Sequence, residues 1–86
     1  MSAKKELYST GKAAELAGIS RQSLQYYLMI GLLKATEVTD SGRRKFDRRA
    51  VDRIRLIRKL NKSGWPLRAI REMFIESEAD RKGSDR

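Results

Sequence analysis

Neither cysteine nor histidine occurs anywhere in the chain. The first absence rules out disulfide staples and thiolate metal sites, and the second removes the usual general base and the commonest metal ligand. Ser9, Ser20, Ser23 and Ser63 therefore have no imidazole to activate them, and Gly11 or Gly42 alone makes no phosphate-cradling loop. No catalytic residue, cofactor or metal is expected. Long apolar runs are missing too. Nothing approaches the roughly 18 residues that could span a bilayer, and Met1-Ser2-Ala3-Lys4-Lys5-Glu6 leads into no signal-like apolar segment. A cytoplasmic, nucleoid-associated protein without membrane contact is expected. At 86 residues there is room for one domain with a thin core.

What the chain has instead is positive charge. Twenty Lys or Arg stand against 11 Asp or Glu, a formal net charge of +9, so a polyanion is the first partner to consider. The charge is concentrated. From Arg43 to Arg71 there are 12 Lys or Arg and two acids, Asp47 and Asp52, so this stretch carries +10 and the remainder nets −1. A charge run is usually only a solvated helix face, and the local pattern must decide.

The pattern predicts an α-dominated winged helix-turn-helix with four helices and a small two-stranded hairpin, the wing. Residues 1–7 read as a flexible N-terminal segment, 8–76 as the domain and 77–86 as a polar, frayed tail. Ser9 can cap a first helix through Ala13, Ala14, Leu16 and Ala17 that stops at Gly18. Ser20 can cap a second from Arg21 to about Ile30, with Leu24, Tyr27 and Leu28 as its buried stripe, ending at Gly31. Only Gly18-Ile19-Ser20 separates them, with Ile19 plugging the angle, which is helix-turn-helix spacing. Thr36-Glu37-Val38-Thr39, a turn at Asp40-Ser41-Gly42 and Arg43-Arg44-Lys45-Phe46 read as the wing.

Asp47 can cap a third helix running to about Ser63. Its stripe of Ala50, Ile54, Ile57 and Leu60 opposes a basic face of Arg48, Arg55, Arg58, Lys59 and Lys62. Gly64 ends it, Pro66 pre-sets the fourth helix, and Leu67, Ile70 and Phe74 continue the apolar period, with Trp65 expected to plug the junction.

The face of the second helix not used for packing shows Gln22, Gln25, Tyr26 and Met29. A B-form major groove accepts one α-helix, glutamine can bond in pairs to an adenine edge and arginine to a guanine edge. Arg21, Gln22 and Gln25 are therefore the candidates for base readout. Ser20, Tyr26, Arg43, Arg44, Lys45 and Lys12 are candidates for phosphate contact. Tyr26 and Tyr27 lie about 100° apart on a helix, so one ring should be outside.

Tyr8-Ser9-Thr10-Gly11-Lys12-Ala13-Ala14, Ala17-Gly18-Ile19-Ser20, Leu24-Gln25-Tyr26-Tyr27 and Ile30-Gly31-Leu32-Leu33 follow in order the N-terminal pattern of MerR-family transcription regulators. Ser41-Gly42-Arg43-Arg44-Lys45-Phe46 resembles that family's wing turn. Ile54-Arg55-Leu56-Ile57 resembles its third helix, and Gly64-Trp65-Pro66-Leu67 with Ile70-Arg71 its fourth-helix start. The resemblance covers Tyr8 to Phe74. It implies a bacterial regulator with its second helix in the major groove, and with Arg44 and Tyr26 on phosphates; Arg43 and Lys45 are added on charge alone. The chain departs from the pattern where the family commonly has arginine before the tyrosine pair, glutamate after it and glutamate in the first helix. Here stand Gln25, Leu28 and Lys12.

The family's long dimerisation helix is also absent from these residues, so an excised domain or a minimal binder is expected. Two copies on a repeated or palindromic operator would supply affinity that one copy lacks. The expected function is sequence-specific binding of double-stranded DNA that regulates transcription. Two other readings share the pattern, an excisionase-like architectural factor that bends recombination sites and a basic protein-interaction module.

Overall fold

The computed structural model describes residues 6–83, with side-chain surroundings for 6–75. Strand β1 (Tyr8–Ser9) leads directly into helix α1 (Thr10–Ala17), whose N-cap is Ser9; its hydroxyl accepts from the Lys12 N–H at 3.1 Å. Gly18 closes α1 with φ 78°, a left-handed conformation that costs glycine nothing, and its N–H donates back to the Ala14 and Glu15 carbonyls. Helix α2 (Arg21–Met29) starts at Ser20 by the same chemistry, with the Ser23 N–H donating to the Ser20 hydroxyl at 3.0 Å. Each cap satisfies one of the four N–H groups a helix start leaves open.

Strands β2 (Glu37–Val38) and β3 (Arg44–Phe46) form the hairpin. Between them Gly42 donates its N–H to the Thr39 carbonyl at 2.9 Å with φ 87°, as the last residue of a three-residue hairpin loop, Asp40–Gly42, where a left-handed residue follows the turn. The sheet is three-stranded, not two: β1 pairs antiparallel with the other edge of β3, giving the order β1-β3-β2. Tyr8 thus belongs to the sheet, opposite Phe46. Two residues are too few to show an alternating pattern, which is why the sequence alone gives only a two-stranded wing.

Helix α3 (Arg48–Lys62) and helix α4 (Leu67–Gly83) complete the fold. The backbone of α4 stays helical to Gly83, which corrects the expected frayed tail at 77–86 as far as the described residues reach. Once Leu67–Phe74 has nucleated a helix, extension needs no apolar period, only good helix formers such as Glu, Ala, Arg and Lys. The expected flexible segment 1–7 lies, for residues 1–5, outside the described residues.

The core sits where α1, α3 and the sheet meet, closed by α2 and the start of α4. Leu24, Tyr27, Ile54, Ile57 and Ile70 are buried, as their spacing predicts. Leu16, Ile19, Leu28, Leu60, Leu67 and Phe74 are only half-buried at its margin. The sequence pattern missed Phe46, Leu32, Leu33 and Val51, all buried, whereas Ala13, Ala14 and Ala17, named in the first helix, are buried as a small face that lets α3 approach α1 closely.

Trp65 is the reverse case. It is 49% exposed and does not plug the α3–α4 junction. Hydrogen bonds to the Trp65 backbone hold that junction instead: Trp65 N–H donates to the Leu60 carbonyl at 3.1 Å, and the Asn61 side-chain Nδ2 donates to the Trp65 carbonyl at 2.8 Å. The interior side of the start of α4 is taken by Ile70, which is fully buried, and the indole stays at the surface.

Asp47 caps α3, its carboxylate accepting from the Ala50 N–H at 2.9 Å, while its own N–H donates to the Thr36 hydroxyl at 2.9 Å. One buried residue thus anchors both the hairpin and α3. Asp47→Ala is expected to lower unfolding free energy by about 2 kcal/mol, the upper end for a lost cap, read from the urea midpoint. Because Thr36 bonds the Asp47 backbone, Thr36→Ala should add a further loss of about 1 kcal/mol.

Candidate nucleic-acid interface

Helix α2 divides cleanly around its axis. Leu24 and Tyr27 are buried against the core, whereas Arg21, Gln22, Gln25, Tyr26 and Met29 are exposed. The tyrosine pair splits accordingly, Tyr26 47% exposed and Tyr27 6%. Burial pushes the Tyr27 phenol above its ordinary range, with the Arg58 guanidinium pulling the other way. Tyr27 therefore serves α2 as an anchor and Tyr26 as a surface group.

Gln22, Ser23, Gln25, Tyr26, Tyr27 and Met29 line one side of a shallow depression, and Asn61 of α3 and Leu67 of α4 line the other. The structure so brings Gln22 and Gln25 together with Tyr26 on a single surface. A second, larger depression between α3 and α4 contains none of the candidate base readers.

The candidate cations fall into two groups. Arg55 is committed within the fold: its Nε and Nη2 donate to the Leu16 carbonyl at 3.2 and 3.0 Å, and its Nη1 lies 3.7 Å from the Asp52 carboxylate. Leu16 is in the last turn of α1, where carbonyls lack helical partners and a cation is favourable, so Arg55 works as a tie from α3 to the end of α1. Arg48 also approaches Asp52, at 3.5 Å, and Lys12 lies 3.8 Å from Glu15. These pairs are exposed and weak, but each offsets a charge that composition alone counts as free. Arg58 sits at the helix-turn-helix corner, its guanidinium beside Gly18.

Arg43, Arg44, Lys45, Lys59 and Lys62 make no ion pair among the described residues. In β3 the side chains alternate, so Arg44 shares a face with Phe46 while Lys45 is on the other, in register with Glu37. The run of three cations therefore does not present one surface. Arg44 is exposed beyond the end of the core, and Lys45 is half-buried.

A protein-family model described as "MerR HTH family regulatory protein" matches residues 8–76. The chain is 42% identical over 62 residues to the nodulation protein NolA of Bradyrhizobium elkanii, an alignment covering 72% of this chain and 28% of that protein. Among solved structures it superposes on HiNmlR, a MerR family regulator lacking the sensor domain and bound to promoter DNA, with a TM-score of 0.73 at 32% identity, over 79% of this chain and 54% of that one. The N-terminal part of the multidrug transporter activator of Bacillus subtilis gives a TM-score of 0.72 at 31% identity, over 78% and 63%. The chain spans about a quarter to a half of the length of the curated relatives it matches.

Proposed function

Because the chain belongs to the MerR family of helix-turn-helix regulatory proteins, we propose that it binds promoter duplex DNA and regulates transcription, with α2 in the major groove and the hairpin on the flanking phosphates. The observation that carries this reading is the exposed face of α2. Two glutamines and an arginine stand clear of the core on a helix whose opposite side is locked by Leu24 and Tyr27. Arg21, Gln22 and Gln25 read base edges. Tyr26, the Ser20 end of α2, Arg44 and Lys12 contact phosphates, and Arg43 and Lys45, which alternate with Arg44 along the strand, take neighbouring ones. Lys59, Lys62, Arg58 and Arg48 add longer-range attraction.

One copy buries little surface on DNA, so two copies on a repeated or palindromic operator bind together. Such a protein acts in the cytoplasm, on the chromosome. Among the described residues no helix is long and apolar enough to cross a membrane.

Selection of bound duplexes from a random pool tests the reading, since it reports specificity, half-site spacing and stoichiometry together. On the selected site, Gln22→Ala is expected to cost about 1–3 kcal/mol relative to random duplex if the amide makes a bidentate contact with a base. Equal loss on both duplexes would assign Gln22 to scaffolding. Footprints at recombination sites and not at promoters would favour an excisionase-like architectural factor, and tight association with an acidic protein without DNA, little changed by altering α2, would favour a protein-interaction module.

A further inference from the structure

Met29 is 74% exposed, more than any other large apolar side chain among the described residues. It closes the last turn of α2 and lines the same depression as Gln22, Gln25 and Tyr26. At about 100° per residue, Met29 projects within roughly 20° of Gln22 and about 150° from the centre of the buried Leu24–Tyr27–Leu28 stripe. A thioether in this place adds nothing to the core and has no partner in the fold. Its chemistry does match one feature of the groove that glutamine cannot exploit. The major-groove edges of the bases offer hydrogen-bond donors and acceptors and a single apolar knob, the C5-methyl group of thymine. Methionine, unbranched and polarizable, adapts to such a knob with little geometric demand.

We propose that Met29 is a specificity-determining residue that selects thymine through its C5-methyl group. The proposal rests on the reading in which α2 lies in the major groove, and extends it to a base and an atom. Position follows from the helix. Seven residues at about 1.5 Å each separate Met29 from Gln22 by roughly 10.5 Å, which is about three base-pair steps at 3.4 Å when the helix runs along the groove. Each half-site should therefore carry a thymine about three base pairs from the base that Gln22 reads. Recognition there should be indifferent to the hydrogen-bonding groups of that pair as long as the methyl is present.

Replacing thymine by deoxyuridine removes the methyl group and leaves base pairing intact. The experiment measures affinity of the full chain and of Met29→Ala for the selected duplex, with each thymine exchanged in turn. Wild type is expected to lose about fourfold at one thymine per half-site, the worth of one buried methyl. Met29→Ala should bind the thymine and deoxyuridine forms of that position equally, while keeping the wild-type helical content expected of an exposed position. The proposal is overturned if Met29→Ala retains the full methyl dependence, or if no thymine about three pairs from the Gln22-dependent base shows any. In both cases a wild type that still prefers the selected site, and loses that preference with Gln22→Ala, leaves the placement of α2 standing. If wild type shows no preference for the selected site over random duplex, the groove placement itself fails and takes this assignment with it.

Discussion

Raising salt from about 50 to about 200 mM is expected to weaken duplex binding by roughly 500-fold to 20,000-fold, because five to eight neutralised phosphates each contribute about −0.9 to the log–log slope. The range follows from which cations the fold leaves available. Arg43, Arg44, Lys45, Lys59 and Lys62 make no ion pair among the described residues and give the lower count; Lys12 and Arg48, in weak exposed pairs, and Arg58 raise it to eight, whereas Arg55 is withdrawn by its bonds to Leu16. Arg44→Ala should make the slope shallower by about one unit, with loss spread evenly across sequences. Arg55→Ala should behave differently: a smaller change in slope, but a lower unfolding midpoint, since the end of α1 loses its tie to α3. A titration series at four or more salt concentrations separates the two. A slope near zero for wild type would dismiss the phosphate role of the hairpin and of α3 together.

Phe46→Ala should cost about 3–5 kcal/mol in unfolding free energy, the largest stability loss expected of any substitution in the wing. Phe46 is fully buried, ends β3, lies opposite Tyr8 across the sheet and immediately precedes the Asp47 cap. Its strand contacts both α1 and α3, so the ring fills the one place where sheet, first helix and third helix converge. Domains of this size have about 4–13 kcal/mol in total at typical per-residue values, so the loss removes roughly a quarter of that stability at the least and all of it at the low end. Urea denaturation followed by circular dichroism measures it. Trp65→Ala is the useful contrast. Its side chain is half exposed, and a cost well under that of Phe46→Ala is expected, although residue size alone ranks tryptophan first. The opposite order of losses would contradict the packing described.

Most local structure was legible because it is encoded within four or five residues. Ser9, Ser20 and Asp47 cap helices that start where the hydroxyl or carboxylate first meets an apolar period, and Gly18, Gly42 and Gly64 mark turns with positive φ. The split of Tyr26 from Tyr27 also follows from helical geometry alone. Illegible features share a different origin. The Tyr8–Phe46 pairing spans 38 residues and the Arg55 bond to Leu16 spans 39, distances over which periodicity carries no information.

The order of residues by itself determined a basic chain of four amphipathic helices with a hairpin between the second and third, since hydrophobic period, caps and turn chemistry act through neighbours along the backbone. Tertiary structure alone decided which cations stay available, which aromatic ring fills the interior and that a third strand joins the wing. Those outcomes depend on what stands opposite each side chain once the helices have packed. Charge type and residue size name the candidates, but burial and partners choose among them.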